Sequence, residues 1–207
     1  MTQRLLLATG NQKKLLELRR ILAPQLPDLE VLGLDDVTAY GEVAETGASF
    51  ADNALLKARA GFVHTGLLTI ADDSGLAVDA LNGMPGVLSA RWSGGHGDDE
   101  ANLRLVLAQV REIPEERLGA QFVCAAALVG AHGESVFQAT MAGRLVRTPR
   151  GDNGFGYDPI FVADGFELTN GELPPGRKDA ISHRGQALRA LADHLVGLSA
   201  ADADGPS

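Results

Sequence analysis

Asp72-Asp73-Ser74-Gly75 follows the apolar run Leu67 to Ala71, so two adjacent carboxylates stand where a buried strand is expected to end. Side by side they repel each other and favour a cation, and open sheets take their ligands at such strand ends. Strand alternation points the two side chains to opposite faces. At most one therefore faces a reacting centre while the other braces the turn; an Asx-type turn with both carboxylates solvated is the plain alternative. Glu45, ahead of Thr46-Gly47, is a third candidate oxygen donor. An all-oxygen set without His or Cys suits Mg2+, which keeps waters and shares itself with substrate phosphates.

Thr9-Gly10-Asn11-Gln12-Lys13-Lys14 occupies a strand-to-helix turn. Free backbone N–H groups and the positive end of a helix dipole favour an anion there, and the lysines add charge. The G-x-x-x-x-G-K-[ST] spacing of a P-loop is absent, and an ordinary helix-start turn fits the same residues. Gly154-Phe155-Gly156-Tyr157-Asp158-Pro159 sets two aromatic rings in a glycine-hinged loop, in a chain only 5% aromatic. Those rings either stack on a base or plug the core beneath the loop. Lys178, with Ser182-His183-Arg184-Gly185, gathers basic and polar donors at the start of the last expected helix.

The elements that must carry these residues follow from periodicity. Arg4 to Ala8 is an apolar run that stops at Thr9-Gly10-Asn11, and Leu15, Leu16, Leu18, Ile21 and Leu22 then recur at helical spacing up to Pro24. Leu29 to Leu32 reads as a strand and Asp35 to Thr46 as a loop. Ser49 with Asp52 predicts a capped helix whose apolar face is Phe50, Ala54, Leu55, Ala58 and Phe62. Asp98 caps a further helix that stops before Pro114, and Gln121 to Val129 and Ser135 to Val146 form a hairpin of long strands. A short strand is expected at Ile160 to Val162 and a last helix from near Ser182, leaving Ala200 to Ser207 as a disordered tail. The expected fold is α/β, one mixed sheet with flanking helices over residues 1–199, with two lobes around a cleft.

Composition narrows the function. The 18 basic and 27 acidic residues give a net charge of −9, the wrong sign for a protein that tracks a nucleic-acid polymer. A small anion remains bindable where basic residues converge and a divalent cation neutralises the rest. No apolar run reaches the roughly 18 residues of a membrane span. Met1 to Leu7 reads as a first strand and not a signal peptide, and the single Cys124 as a buried apolar filler, so a cytoplasmic protein is expected.

Taken in order, Ala8-Thr-Gly-Asn-Gln-Lys-Lys14, Glu45-Thr-Gly-Ala-Ser-Phe-Ala-Asp-Asn-Ala-Leu-Leu-Lys-Ala-Arg59, Ala71-Asp-Asp-Ser-Gly-Leu76, Pro85-Gly-Val-Leu-Ser-Ala-Arg91, Gly154-Phe-Gly-Tyr-Asp-Pro159 and Ser182-His-Arg-Gly185 resemble the Ham1-like inosine/xanthosine triphosphate pyrophosphatases. The resemblance runs from about residue 4 to residue 195. It implies a Mg2+-dependent homodimer that hydrolyses ITP, dITP and XTP to the monophosphate and pyrophosphate. By that likeness Thr9, Gly10, Asn11, Gln12, Lys13 and Lys14 contact the nucleotide, and Lys57 faces its phosphates. Asp73 is the proton acceptor and a metal ligand, Glu45 helps hold the metal, and Ser74 touches substrate. Phe155, Gly156, Tyr157, Asp158, Lys178, His183 and Arg184 form the base pocket and its rim.

Two segments depart from the family's pattern. Gln12-Lys13 stands where relatives often carry a glycine before the lysine, leaving open whether Lys13 or Lys14 reaches phosphate. Pro174-Pro175-Gly176 stands where relatives have acidic, helix-forming residues. Such a run cannot continue a helix, which bears on the approach of Lys178.

Overall fold

The computed structural model describes residues 4–203, apart from residues 25 and 42. Strand β1 (Arg4–Leu7) buries three consecutive leucines, as an interior strand with two covered faces should. Helix α1 (Gln12–Leu22) follows, burying Leu15, Leu18 and Leu22 at helical spacing. Then come β2 (Glu30–Leu32), α2 (Phe50–Thr65), β3 (Leu68–Val78), α3 (Asp99–Gln109) and the hairpin of β4 (Gly119–Gly130) and β5 (Gly133–Leu145). The chain ends in β6 (Phe161–Ala163), α4 (Pro175–Ile181) and α5 (His183–Ala203). The sheet order is β2-β1-β3-β4-β5-β6. Strand β1 runs parallel to β2 and β3, whereas β5 runs antiparallel to β6, so the sheet is mixed and flanked by helices as expected.

Two compact units divide the chain, one comprising Met1–Asp73, Ala125–Gln138 and Arg184–Ser207, the other Ser74–Cys124 and Ala139–His183. In the first, Ala54 and Ala58 of α2 meet Ala8, Ala71, Ala125, Ala127 and Val129. Small side chains on both sides let the helix lie close to the strands. Gly61 sets the closest approach, since a Cβ there would come within 2.7 Å of the Thr69 methyl. The second unit has larger packing, with Leu76, Val106, Leu118, Phe122, Met141, Ile160 and Phe161 buried together.

The start of α2 is fixed locally. The Ser49 hydroxyl accepts from the Asp52 N–H at 3.1 Å, and the Asp52 carboxylate accepts from the Ser49 N–H at 3.1 Å. This is the capping box expected from the sequence. Ser49→Ala leaves one of these orphan donors unsatisfied and lowers stability by about 1 kcal/mol in a denaturant titration.

Three elements differ from the sequence reading. Asp72-Asp73-Ser74-Gly75 does not end a strand: β3 continues through it to Val78. The two carboxylates are compensated by partners across the strand, so nothing forces a turn. Pro174-Pro175-Gly176 opens a helix of its own, with Pro175 as the first helical residue of α4. Proline has no N–H to lose there and its fixed φ suits the helix. Ser182, with extended backbone (φ −66°, ψ 149°), separates α4 from α5. Of the expected tail, residues 200–203 belong to α5, and residues 204–207 lie outside the described residues. Among the described residues no helix is long and apolar enough to cross a membrane.

Candidate active site

The side chains of Asp72 and Asp73 part as neighbours on a strand must, Asp73 meeting α2 and Asp72 meeting α1 and α5. Asp73 is 6% exposed. Its Oδ2 accepts from Asn53 Nδ2 at 3.0 Å and its Oδ1 from Lys57 Nζ at 3.4 Å, both on α2. Asn53 and Lys57 are four residues apart, so the helical repeat sets them one above the other on the same face. Lys57 Nζ also donates to Glu45 Oε1 at 2.9 Å. Asn53 is held in turn, its Oδ1 accepting from the Gly47 N–H at 2.8 Å.

Electrostatics distinguish the two aspartates. Burial pushes the Asp73 carboxyl above its ordinary value, and Glu45 adds to the rise, while Lys57 and Asn53 only partly oppose it. Burial likewise works against the Lys57 ammonium, but Asp73, Asp72 and Glu45 outweigh it and hold that group above the ordinary lysine value. Asp72 is the opposite case. Burial would raise its carboxyl, yet Lys14, Arg184 and Lys57 together hold it well below the usual carboxylate range. Its Oδ2 accepts from Lys14 Nζ at 2.8 Å and from Arg184 Nε at 3.1 Å. Arg184 Nη1 donates on to Glu17 Oε2 at 2.9 Å, so two cations and two carboxylates form a buried network.

The turn before α1 positions Lys14. The Thr9 hydroxyl accepts from the Asn11 N–H at 3.3 Å, and Asn11 Oδ1 accepts from the Lys14 N–H at 3.4 Å. Gln12 points instead to Asp35, donating at 2.9 Å, and Gly10 is exposed. The Lys13 side chain lies outside the described residues.

The Lys57 ammonium bridges Asp73 and Glu45, and burial, with the nearby Glu45 charge, raises the Asp73 pKa. Such a pair fits Mg2+, which takes one or two carboxylates and completes its shell with waters and phosphate oxygens. Among the described residues there is no cluster of three or more His, Cys, Asp or Glu of the kind that cages an ion entirely with protein.

In the second unit Ser74 continues β3 half-buried, and the Gly154 to Asp158 loop forms a tight cradle. Asp158 Oδ2 accepts from the Phe155 N–H at 2.8 Å and from Lys178 Nζ at 2.6 Å. Lys178 Nζ stands 5.3 Å from the centroid of the Phe155 ring. Gly154 has φ +79°, and a Cβ on it would come within 2.1 Å of Asp158 Oδ2, so only glycine fits. The two rings of the loop have separate fates. Tyr157 is packed in the core and its hydroxyl donates to the Ser89 carbonyl at 2.8 Å, while Phe155 is only half-buried. Gly156 N–H donates to Asp99 Oδ2 at 2.9 Å. The His183 ring stacks on Phe122, with centroids 4.9 Å apart and planes 7° from parallel.

The sequence reading omitted Asn53 and Glu17, which orient Asp73 and Arg184. Both stand at helical spacing from a lysine it did choose, Asn53 four residues before Lys57 and Glu17 three after Lys14. That spacing was the available signal.

The Ham1 family model matches residues 5–194. A dITP/XTP pyrophosphatase of Nocardia farcinica is 58% identical over 198 residues, covering 95% of this chain and 96% of the relative. The dITP/XTP pyrophosphatase of Mycolicibacterium paratuberculosis is 57% identical over 199 residues, covering 95% and 98%. Among solved structures, a nucleoside-triphosphatase / dITP/XTP pyrophosphatase of Mycobacterium abscessus is 59% identical with a TM-score of 0.76, over 91% of this chain and 98% of that one. The Ham1 protein of Staphylococcus aureus has a TM-score of 0.85 at 37% identity, over 94% and 99%.

Proposed function

Because the chain belongs to the Ham1 family, we propose that it is a nucleoside-triphosphate pyrophosphatase that hydrolyses ITP, dITP and XTP to the monophosphate and pyrophosphate with Mg2+. It acts as a cytoplasmic homodimer on small nucleotides, not on nucleic-acid polymers. The observation that carries this reading is Asp73, a buried carboxylate with a raised pKa, aimed by Asn53 and shared with Glu45 through Lys57. Curated relatives more than half identical to it are dITP/XTP pyrophosphatases.

Asp73 and Glu45 are the residues that would hold the metal. Mg2+ supplies neutralising charge to the phosphates and Lewis acidity at the scissile anhydride. The protein's own part is positioning and charge, the two things phosphoryl chemistry most requires. Asp73 takes the proton from the attacking water. The Asn53 amide, on Oδ2, fixes the orientation of the carboxylate that accepts this proton. Lys57 and Lys14 neutralise phosphate oxygens. For Lys14 this means leaving Asp72, whose charge Arg184 continues to balance. Thr9 to Lys14 and Ser74 complete the nucleotide contacts.

Base choice rests on hydrogen-bond sense. Hypoxanthine and xanthine present an acceptor at O6, whereas adenine presents an amino donor there. Lys178 and His183, with Phe155, Gly156 and Asp158, hold the base, and Tyr157, assigned with them from the sequence, supports their loop from the core; Arg184, assigned to the rim, has Nε and Nη1 on Asp72 and Glu17. Donor facing donor leaves buried groups unpaired, and sites built that way discriminate by about 10⁴.

Incubating the protein with MgCl2 and ITP, XTP, dITP, GTP or ATP, and assaying pyrophosphate and orthophosphate separately, tests the reading. Pyrophosphate from ITP, dITP and XTP, little from ATP or GTP and none in EDTA is expected. Orthophosphate as the only product, or no turnover of any of them, would sink it.

A further inference from the structure

Asp158 is held from two directions. One is the cradle already described, in which Oδ2 accepts from Phe155 N–H and Lys178 Nζ. The other is the dipeptide Asn170-Gly171. Asn170 Nδ2 donates to Asp158 Oδ1 at 3.3 Å, and the Gly171 N–H donates to the Asp158 carbonyl at 3.0 Å. Asn170 is wholly buried, and its own N–H donates to the Phe161 carbonyl at 2.9 Å. Its side-chain Oδ1 has no hydrogen-bond partner among the described residues. Burying an amide with one half unsatisfied costs free energy. Turning it end for end would set that oxygen against a carboxylate, which only accepts. The amide is therefore locked in one sense, with its donor on Asp158.

A carboxylate pivots about its terminal torsion, so fixing one oxygen aims the other. We propose that Asn170 is a positioning residue for nucleobase recognition: by fixing Asp158 Oδ1 it aims Oδ2, and so sets the place of the Lys178 ammonium and the Phe155 backbone. This rests on the reading that Phe155, Asp158 and Lys178 meet the base.

Asn170→Asp exchanges the donor for a carboxyl of the same shape. Charged groups about this position include Asp158, paired with Lys178, and Glu172, paired with Arg150 at 3.5 Å. Two carboxyls so placed share one proton at low pH and repel when both are ionised. In Asn170→Asp the KM for ITP stays within about twofold of wild type at low pH and rises about tenfold toward pH 9, while kcat changes by less than about threefold. Asn170→Leu, with no donor at any pH, raises KM throughout. Thermal melts report folding separately. A structural side chain would lower the melting temperature with no pH limb confined to KM. A KM ratio of Asn170→Asp to wild type that stays flat with pH would overturn the proposal.

Wild type, assayed in parallel on the nucleotide panel, tests the underlying function by itself. Should it prove inactive, acetylation of the nucleotide-free protein still tests Asn170. Lys178, read by mass spectrometry, should label faster in Asn170→Leu than in wild type; equal labelling would overturn the proposal.

Discussion

Replacing Asp73 with asparagine lowers the turnover of ITP by about 10³-fold and leaves the protein folded. The exchange keeps the shape of the side chain, and its remaining oxygen still accepts from Asn53 or from Lys57, though not from both, because the two meet different oxygens of Asp73. What it removes is the charge that would hold Mg2+ with Glu45 and the basicity that would take a proton from water. Stability changes little, because two effects oppose each other. The folded pKa of Asp73 lies above its unfolded value of 3.8, so above that range the ionised group opposes folding. The substituted amide carries no such charge but takes from the Lys57 ammonium one of its carboxylate partners, so the melting temperature at neutral pH should stay within a few degrees of wild type. Pyrophosphate release from ITP, measured beside a thermal melt, checks both halves. Turnover within threefold of wild type would remove Asp73 from the reaction.

Asp72→Asn has the reverse signature, with stability lost first. Asp72 is the shared acceptor of Lys14 and Arg184, and its loss leaves two cations with only the Glu17 carboxylate among the named acceptors of their network. Breaking a buried ion pair from one side costs about 3 kcal/mol or more. For a chain of this size that lowers the melting temperature by roughly 10 °C. Acid titration tells the same story. Lys14 and Arg184 depress the folded pKa of Asp72 below its unfolded 3.8, so its stabilisation is complete above that value and is lost as pH falls toward the folded one. Wild type should therefore lose stability below about pH 4 more steeply than Asp72→Asn. Parallel acid limbs for the two proteins would show that Asp72 is not the group holding this network together. Together the variants separate neighbouring carboxylates, one serving the reaction and the other the fold.

Much of this was legible before any coordinates. The Ser49–Asp52 capping box is a local arrangement, complete within four residues, and local hydrogen-bond geometry can be read from spacing alone. The parting of Asp72 and Asp73 follows from the two-residue period of a strand. Strand boundaries were less legible. The apolar pattern breaks at Asp72, yet β3 runs on to Val78, because Lys14, Arg184, Asn53 and Lys57 satisfy carboxylates that the sequence alone shows as bare. Pro174-Pro175-Gly176 reads as a breaker, but a proline that cannot continue a helix can start one.

The sequence by itself determined the class of elements, the caps and the acidic pair, since these depend on residue type and on spacings of one to four. Only the tertiary structure decided which lysine serves which aspartate, that Arg184 bridges Asp72 and Glu17, that Tyr157 fills the core while Phe155 meets Lys178, and that Asn170 grips Asp158. Arg184 lies 112 residues from Asp72 in the chain. No periodicity encodes a pairing at that distance; it is set by how α1, β3 and α5 pack, and packing also fixes how deeply each carboxylate is buried and hence its pKa.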